Sequence, residues 1–550
     1  MVAVLRRAPA RPPPEPSCAA PEPSVAEARV DEKPLEAPAE TYAAAKWLIC
    51  TILGVLLCFS FGAALQQNAA LLGADGLAPC ADYVRRKREA EGIGGVARGF
   101  FRWPCLWWWV EPTDASLDAV AAAGLGAAAL VAAGLHLSPL LGVCWLCHAS
   151  IVAAAEASSF YSYGWETQLL ETCFLAMFLC SPTAPRAHPT RSVLWLFRWL
   201  MFRISIGAGL IKTRGGSCWA KKTCLWYHFE TQPVPSPASF FFHFLPRPLL
   251  SRGVDVDLVV QLYTSWLVLV VGPGRAVRWM RRAGGAMQAG FMVMIAGSGN
   301  FSVLNHLTIV PALSCLDDAC WPRVLRSRAP APRRRGALRR LVDVALVLLV
   351  AKLSRPVVEN LLSSQQVMNT AYDPFKIVNT YGAFGSVGEA RYEPVISLST
   401  DGATWTEVDL PCKPTDVRRR PCWSAPYHHR LDWNIWFIGF KPHKQMLEHR
   451  ERWLYSFLAQ LLRPLDPPAP ARSLLAASSR RTSGTIAKVD MYRYRMAEPL
   501  LQILRAPAAD RVWWRREHEE ILVPPVVLRP DGNLAYYSPP RPPPVATERI

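Results

Sequence analysis

The segment Ile211–Pro237 gathers the side chains of this 550-residue sequence that are best suited to chemistry. It begins where a long apolar run ends, carries Lys212 and Arg214, and places His228 two residues before Glu230. An imidazole and a carboxyl group could act as base and acid, provided that each comes within roughly 3 Å of its proton. No nucleophile accompanies them, and we find no GxSxG, HExxH, P-loop or GxGxxG setting. The competing interpretation, which we favour, is a rigid aromatic cap on a membrane segment.

Cysteine placement predicts disulfides rather than a metal site. Each segment that we assign below to the far side of the membrane holds an even number of cysteines, which is typical of an oxidising compartment. Structural zinc would need four neighbouring Cys or His ligands, so we expect neither a metal nor a cofactor. The expected disulfides are Cys80 with Cys105, Cys218 with Cys224, and Cys412 with Cys422. A CxxC motif at Cys144–Cys147 lies inside an apolar run, which favours ordinary buried side chains over redox chemistry.

Two carboxylates, Glu166 and Glu171, lie at the start of or within an apolar helix. An ionisable residue at membrane depth indicates function by default. Its partner could be Lys212, Arg214 or Arg203. The alternative is a structural ion pair that locks two helices together, and we weight it more heavily.

The elements that must position these residues are membrane helices. Half of the residues are hydrophobic, and apolar runs recur at lengths close to the roughly 20 residues that a bilayer span needs. We therefore predict a polytopic α-helical domain over residues 44–353, preceded by a disordered cytosolic tail over residues 1–43. The predicted spans number about nine: Ala44–Gly62, Leu117–Leu135, Ser138–Ala155, Gln168–Ser181, Ser192–Ile211, Val256–Val271, Ala286–Gly297, Phe301–Leu316 and Leu338–Leu353.

The net charge of +18 predicts orientation. Arginine-rich connectors at Gly272–Gly285 and Pro322–Arg340 belong on the cytosolic side, because positive charge is retained there. Loops 63–116 and 212–255 and everything after residue 353 then face an endomembrane lumen. The arginines lie in Pro-rich connectors rather than on a soluble basic face, so we expect no nucleic-acid partner.

The remainder of the chain predicts a lumenal β-rich domain over residues 354–530, resembling a β-sandwich with one helix. Arg391–Leu410 is typical of a hairpin around an Asp-Gly turn. Further strands are predicted at Leu431–Phe440, Lys488–Met496 and Glu520–Leu528, where aromatic and β-branched residues are common. Met446–Leu462 has the apolar spacing of an amphipathic helix. Residues 531–550 are predicted to be a disordered tail.

Two motifs of this domain could bind a partner. NTYGAFGSV surrounds aromatic rings with glycines, and RRPCWSAPYHHRLDW places Arg, Trp and Tyr, which are common in binding hot spots, beside a disulfide. The same residue types could equally fill a core. The candidate client contacts are Tyr381, Phe384, Arg420, Trp423, Tyr427, Arg430, Asp432 and Trp433.

Several long motifs carry a resemblance to a known family. YSYGWETQLLET, GAGLIKTRGGSCWAKKTCLWYHFETQPVPSP, SGNFSVLNHLTIVPALSCLDD, NTYGAFGSV and RRPCWSAPYHHRLDWNIWF resemble the lipase maturation factor family over most of residues 161–514. The resemblance implies a multi-pass endoplasmic-reticulum membrane protein with a large lumenal domain. It also implies secretory lipase-like clients, assisted by lumenal chaperones or oxidoreductases.

Two classes of function follow. The first is a non-enzymatic folding or maturation factor whose lumenal domain holds a client. The second is a membrane-embedded enzyme or transporter that uses the intramembrane carboxylates and the His228 loop on a lipid-soluble substrate, with a plan similar to the vitamin K-dependent carboxylase. The absence of a recognisable cofactor motif favours the first.

Overall fold

A computed structural model of the chain describes residues 40–326, 336–440 and 452–538. Most of the predicted cytosolic tail lies outside these residues. So do residues 327–335 of the second arginine-rich connector, the first part of the predicted helix Met446–Leu462, and residues 539–550.

The first two thirds of the described chain are helical, because apolar residues run on for several turns and most prolines lie in the connections or in the first turn of a helix. The helices are α1 Ala43–Leu72, α2 Ala81–Glu91, α3 Val96–Arg102, α4 Asp114–Ala132, α5 Ser138–Ala154, α6 Gly164–Leu179, α7 Arg191–Arg214, α8 Ser217–Ala220, α9 Cys224–Thr231, α10 Pro237–His243, α11 Arg247–Leu262, α12 Arg275–Ser298, α13 Leu304–Ala312, α14 Arg323–Arg326 and α15 Ala337–Leu362.

Within the described ranges, three helices are long and apolar enough to cross a membrane: α1, α4 and α7. Two shorter apolar helical stretches are Ser138–Ala154 and Leu304–Cys315. The expectation of nine spans is therefore met only in its coarser form, a domain with several apolar helices. A hydrocarbon core is about 30 Å thick, and a helix rises about 1.5 Å per residue, so a span needs about 20 residues. Some of the other predicted spans are too short to meet that length.

Three predicted spans differ most from the structure. Val256–Val271 is broken, because α11 ends at Leu262 and the chain turns through a 3-10 segment at Thr264–Leu269. Ala286–Gly297 is only the second half of α12, whose first half contains four arginines. Leu338–Leu353 continues without interruption to Leu362, so α15 extends nine residues beyond the predicted domain boundary.

Close packing fixes the helices against one another. Gly54 of α1 faces α4 so closely that a Cβ atom there would lie 2.6 Å from the amide nitrogen of Ala132. The start of α4 is fixed by a capping box, in which Thr113 and Ser116 exchange hydrogen bonds. A single large hydrophobic core then runs from these helices into the C-terminal region.

The C-terminal region is built on one antiparallel sheet of five strands in the order β2-β1-β3-β4-β5. The strands are β1 Arg391–Ser399, β2 Thr406–Glu407, β3 Ile486–Met496, β4 Trp514–Leu528 and β5 Leu534–Tyr536. The predicted hairpin is confirmed: β1 and β2 pair, Asp401 accepts hydrogen bonds from the amides of Ala403 and Thr404, and Gly402 has a φ of +75°. The predicted strands at Lys488–Met496 and Glu520–Leu528 lie within β3 and β4.

The sandwich prediction is wrong for the described residues, because they form one sheet and cover it with helices. These are α16 Arg430–Ile438, α17 Arg452–Leu461 and α18 Leu500–Arg505. The strand predicted at Leu431–Phe440 is α16 instead. Its buried apolar side chains Leu431, Ile435 and Ile438 recur every three or four residues, which places them on one helix face. The predicted amphipathic helix is present as α17, and β5 lies within the predicted disordered tail.

The structure joins Cys218 to Cys224 and Cys412 to Cys422. It does not join Cys80 to Cys105, which contradicts the third predicted pair: both are buried free thiols. Burial raises the pKa of Cys80 to about 11 and that of Cys105 to about 12, so both thiols are protonated at neutral pH. An even cysteine count in one segment does not specify which thiols meet.

Candidate functional site

A cleft of about 680 Å³ opens where the helices meet the C-terminal region. Its walls come from the start of α6, from α7 and α9, from residues 381–388 and from α16. Aromatic rings dominate the lining: Trp165, Phe301, Phe384, Trp433, Trp436, Phe437 and Phe440. A concave, mainly apolar space of this size is typical of ligand and peptide sites.

Glycines in α7 allow residues 381–388 to lie directly on that helix. A Cβ atom at Gly207 would lie 2.4 Å from the carbonyl oxygen of Tyr381. Further along, the amide of Gly216 donates to the carbonyl of Gly385 at 3.0 Å. The indole of Trp219 donates to the carbonyl of Phe384 at 2.9 Å, which fixes the Phe384 ring at the cleft. The predicted glycine–aromatic motif therefore forms one wall of the cleft.

Glu171 is the polar centre of this wall. It is ion-paired to Arg203 and accepts hydrogen bonds from the Tyr381 hydroxyl at 2.7 Å and from the backbone and side-chain amides of Asn379 at 3.1 and 3.0 Å. Arg203 in turn donates to the carbonyl of Asn379 at 2.7 Å. These groups are almost fully buried. The network ties α6 and α7 to the chain that leads into the sheet, which supports the structural interpretation of Glu171.

Glu166 makes a second buried link, to a partner that the sequence did not indicate. Its carboxylate lies 2.7 Å from Nη1 of Arg430 on α16 and 3.2 Å from His148 on α5. The guanidinium of Arg430 also lies 3.4 Å from the centroid of the Tyr161 ring. Glu166 and Arg430 are 264 positions apart in sequence, so motif spacing alone could not reveal that they pair.

The basic residues that follow the apolar part of α7 are also paired. Lys212 donates to both carboxylate oxygens of Asp257 at 2.8 and 2.6 Å and lies over the ring of Trp219. Arg214 donates to Gln366 at 2.8 Å and to the carbonyl of Leu361 at 2.9 Å. Neither is a partner of Glu166 or Glu171.

His228 and Glu230 do not form an acid–base pair. His228 stacks on Phe301 and meets Phe384 edge-on, with ring centroids 4.8 Å apart. Burial, with Lys212 nearby, lowers its pKa to about 4, so the imidazole is neutral. Glu230 instead accepts from the amide of Met496 at 2.8 Å, and burial raises its pKa. The two side chains therefore serve different contacts, one at the cleft and one at the end of β3.

The predicted client contacts divide into internal and exposed groups. Arg430 and Asp432 are buried, and Asp432 accepts from the amide of Cys412 at 2.7 Å, so neither presents a surface to a partner. Tyr381 is also buried, although it lines the cleft. Tyr427 is half-buried and its hydroxyl is bonded to the side chains of Gln66 and Gln67.

Phe384, Arg420 and Trp423 keep accessible surface, whereas Trp433 is buried in the cleft wall. Trp433 and Phe384 line the cleft, whereas Arg420 and Trp423 are exposed on the loop that the Cys412–Cys422 disulfide closes or adjoins. Trp423 is 57% exposed.

Sequence reasoning missed much of the cleft. Trp165 contacts Trp433 with ring centroids 5.0 Å apart, and Trp436 meets Phe440 edge-on at 4.3 Å. The signal was present in the Trp, Trp, Phe and Phe residues at 433, 436, 437 and 440, whose spacing of three and four places aromatic rings on one face of α16 and the turn that follows it. Asn300 begins an N-F-S sequon. It is 1% exposed and its amide holds Cys422 and Ser424, so it is not accessible for glycosylation.

The described part of the chain contains no group of three or more His, Cys, Asp or Glu side chains arranged to hold a metal ion. The cleft offers aromatic rings, a neutral imidazole and polar side chains such as Gln168 and Asn369.

Comparison with known proteins identifies relatives along nearly the whole chain. Residues 44–323 match the lipase maturation factor transmembrane domain, and residues 377–524 match the lipase maturation factor C-terminal domain. The chain is 38% identical to lipase maturation factor 1 of Bos taurus over 89% of this chain and 91% of that protein. It is 36% identical to lipase maturation factor 1 of Homo sapiens over 90% of each chain, and 25% identical to human lipase maturation factor 2 over 86% and 81%. No solved structure matches.

Proposed function

This chain belongs to the lipase maturation factor family, and from that premise we propose that it assists the folding, assembly and export of secreted lipases or related secretory proteins. Its place would be the endoplasmic-reticulum membrane, as a multi-pass protein. The supporting comparison covers about 90% of the chain at 36–38% identity.

The observation that carries a folding role is the aromatic cleft between the helices and the sheet. Large rings give a binding surface much contact area, and aromatic residues dominate hot spots. Phe440 lines the cleft and is 45% exposed, so it reaches both the cleft and the solvent. We propose that an extended apolar segment of an unfinished client lies in this cleft. The exposed Arg420 and Trp423 would make further contacts.

The orientation belongs to the same proposal. Disulfides persist in oxidising compartments, and both disulfides of the structure lie in segments that the charge pattern assigns to the lumen. We therefore place the sheet region in the lumen, where chaperones and oxidoreductases could share the client. A glycosylation acceptor inserted after Gly532, an exposed glycine with a φ of +83° in the turn before β5, tests this. Modification supports a lumenal sheet, and an unmodified, stably folded protein contradicts it.

A non-enzymatic mechanism is also proposed. The separation of His228 from Glu230, and the engagement of Glu166 and Glu171 in ion pairs, favour positioning over catalysis. The membrane-enzyme alternative gains no observation of its own from these side chains.

The deciding experiment is lipase secretion from cells that lack the endogenous factor and are complemented with variants. Phe440→Ala removes a ring from the mouth of the cleft, and Tyr536→Ala removes one from β5 that is 74% exposed and does not line the cleft. Loss of an aromatic anchor costs about 2 kcal/mol of binding, or roughly a thirtyfold loss of affinity. We expect Phe440→Ala to lower both secreted activity and client co-purification, and Tyr536→Ala to leave both unchanged.

All variants are compared at equal abundance of the factor, because a destabilised protein also loses function. If client co-purification is the same for both variants, the cleft is not the client site, although the family role could still hold. If secretion is independent of the chain altogether, the proposed function itself fails.

A further inference from the structure

A second cavity of about 420 Å³ lies next to the aromatic cleft, among α7, α9, α11, α12 and α13. His228 and Phe384 line both spaces, so the two are separated only by side chains. Beside aromatic rings such as Phe229, Phe242 and Phe291, this cavity is lined by aliphatic side chains and methionines of α11 and α12. The family relationship does not say what occupies it.

Two amide side chains in this cavity have buried polar atoms without partners. Oε1 of Gln261 on α11 and Nδ2 of Asn305 on α13 make no hydrogen bond within the described residues, although each residue is only 4% exposed. Both residues line the cavity. A buried polar atom without a partner is costly, and such atoms are rare in folded proteins. One of the two atoms is an acceptor and the other a donor, so a ligand that satisfies both must donate and accept. Both atoms are covered in the free protein, so a ligand reaches them after the two amide side chains rotate towards the cavity.

The buried charged groups of the cavity do not require a charged ligand, and the third charged residue that lines it, Arg252, is exposed. Lys212 and Asp257 line it but neutralise each other through two hydrogen bonds. Thr308 also lines it, and its hydroxyl is engaged with Gln168 and with the carbonyl of Leu304. The unpartnered atoms of Gln261 and Asn305 are therefore best satisfied by a neutral polar group.

The outer wall indicates how a ligand enters. Leu249 and Val256 of α11 and Met294 of α12 line the cavity and are 54%, 52% and 49% exposed. Exposed apolar side chains on neighbouring helices of a membrane domain are suited to hydrocarbon contact. A hydrocarbon chain could pass between α11 and α12 while its head reaches the amides inside.

We propose that this cavity is a binding site for a neutral lipid that carries a hydroxyl head and one hydrocarbon chain. The hydroxyl donates to Oε1 of Gln261 and the head accepts from Nδ2 of Asn305, either at the same oxygen or at an adjacent ester carbonyl. The chain occupies the aliphatic part of the cavity. This site is distinct from the client cleft and does not depend on the proposed client contacts.

The test is photo-crosslinking to the full-length protein in phosphatidylcholine nanodiscs. The probe is a monoacylglycerol with a diazirine in its acyl chain, and the comparison probe is its dimethyl ether, which cannot donate. Labelled peptides are mapped by mass spectrometry. We expect the hydroxyl probe to label α11, α12 or α13 about tenfold more than the ether, since a hydrogen bond to a buried group is worth about one factor of ten.

The variant Gln261→Leu/Asn305→Leu keeps similar volume and removes both orphan atoms. We expect it to abolish the preference for the hydroxyl probe while its thermal unfolding temperature is unchanged or raised. A purely structural role for the two amides would instead lower that temperature. Val293→Ala, which changes an outward-facing side chain of α12 that does not line the cavity, is the matched control and should retain the preference.

Three results would overturn the site: equal labelling by the two probes, equal preference in the wild type and the double-leucine variant, or labelling of α11–α13 no greater than that of α4. Arg252 lines the mouth of the cavity and is exposed, so phosphatidate is included as a competitor. Displacement of the monoacylglycerol by phosphatidate at lower concentration than by unlabelled monoacylglycerol would overturn the neutral head.

Discussion

Two polar regions inside the helical domain differ in whether their central side chain is hydrogen-bonded. Both contain buried atoms that have no partner within the described residues: Nε of Arg203 and Oδ1 of Asn379 in the first, and Oε1 of Gln261 in the second. Around Glu171, one carboxylate is bonded to Arg203, Tyr381 and both amides of Asn379. Around Gln261, in the neighbouring cavity, an amide oxygen has no partner within the described chain. Both regions are buried, and both contact α7 or the helices beside it.

The difference separates positioning from binding. A bonded buried network makes a rigid joint, and it is strongly destabilising to break because each group that loses its partner stays buried. An unbonded buried amide stabilises nothing in the free protein. Its presence is explained if a ligand completes it. The buried charges should thus control stability, whereas the uncharged amides should control occupancy.

Breaking the Glu171 joint should have the largest effect. Arg203→Met leaves the carboxylate buried without its charged partner, and we expect a loss of about 3–5 kcal/mol in the free energy of unfolding. Steady-state abundance and thermal unfolding in detergent measure it. The control is Arg355→Gln, which breaks the ion pair between Arg355 and Glu359 on the surface of α15, where both side chains are more than half exposed. Exposed pairs contribute about 0–1 kcal/mol. Equal stability of the two variants would contradict a stabilising role for the buried Glu171–Arg203 pair.

Removing the Cys412–Cys422 disulfide should have the second largest effect on stability. The Cys412–Cys422 bond closes a loop of ten residues, and its end is held by Asn300 through the carbonyl of Cys422. In the chain-entropy model such a loop contributes nearly 3 kcal/mol, so Cys412→Ser/Cys422→Ser should lower stability by about that amount. Non-reducing peptide mapping of the wild type must recover the linked peptides. The matched control is Cys320→Ser, an exposed free cysteine whose loss should have little effect.

How much of this could be predicted depends on the range of each interaction. The Asp401–Gly402 turn and the strands β3 and β4 are local patterns, and they were predictable. Arg203 was correctly considered as a partner of Glu171, because neighbouring apolar helices must pair their charges. The sequence misled where local and tertiary preferences conflict: α16 is rich in Trp, Ile and Phe, which favour strands, yet it is helical and buries most of its side chains in the fold.

The pairing of Glu166 with Arg430 and the two cavities could not be predicted from one sequence. Both arise from segments that are far apart along the chain, so neither periodicity nor motif spacing encodes them. The predicted client residues show the same limit. Arg430 and Tyr381 have residue types common in hot spots, but the fold uses them internally.

His228 lines both the cleft and the neighbouring cavity, and its titration gives a further test of how buried polar groups affect stability. The pKa of His228 is lowered from its usual 6.5 to about 4, so the unfolded chain binds a proton more tightly than the folded one, and stability falls as the pH drops from 6.5 towards 4. Lowering the pH from 6.5 to 5 should cost about 2 kcal/mol through this residue. The nearby charge that faces it is Lys212, and its other neighbours are the rings of Phe229, Phe301 and Phe384.

The measurement is thermal unfolding of wild type and His228→Phe at pH 7.5, 6.5 and 5. The phenylalanine variant should lose part of the acid sensitivity. Glu230 acts in the opposite direction, because its raised pKa adds stability on acidification. His518→Phe, a substitution of a half-exposed histidine on β4, is measured alongside. If both variants lose the same amount of acid sensitivity, the effect does not come from the buried ring.

The smallest net change in stability should come from removing both members of the Lys212–Asp257 ion pair, which lines the second cavity. Lys212 and Asp257 are bonded to each other and both are nearly buried, so removing either alone leaves a charge without its partner and should destabilise the protein by several kcal/mol. Replacing both by apolar residues of similar volume, Lys212→Met/Asp257→Leu, removes the desolvation cost together with the attraction. We expect that double variant to lie within about 1 kcal/mol of the wild type. A double-mutant cycle of unfolding free energies measures the coupling. A double variant as unstable as the sum of the single ones would mean that the two charges are not coupled, and it would contradict the conclusion that Lys212 and Asp257 neutralise each other in the cavity.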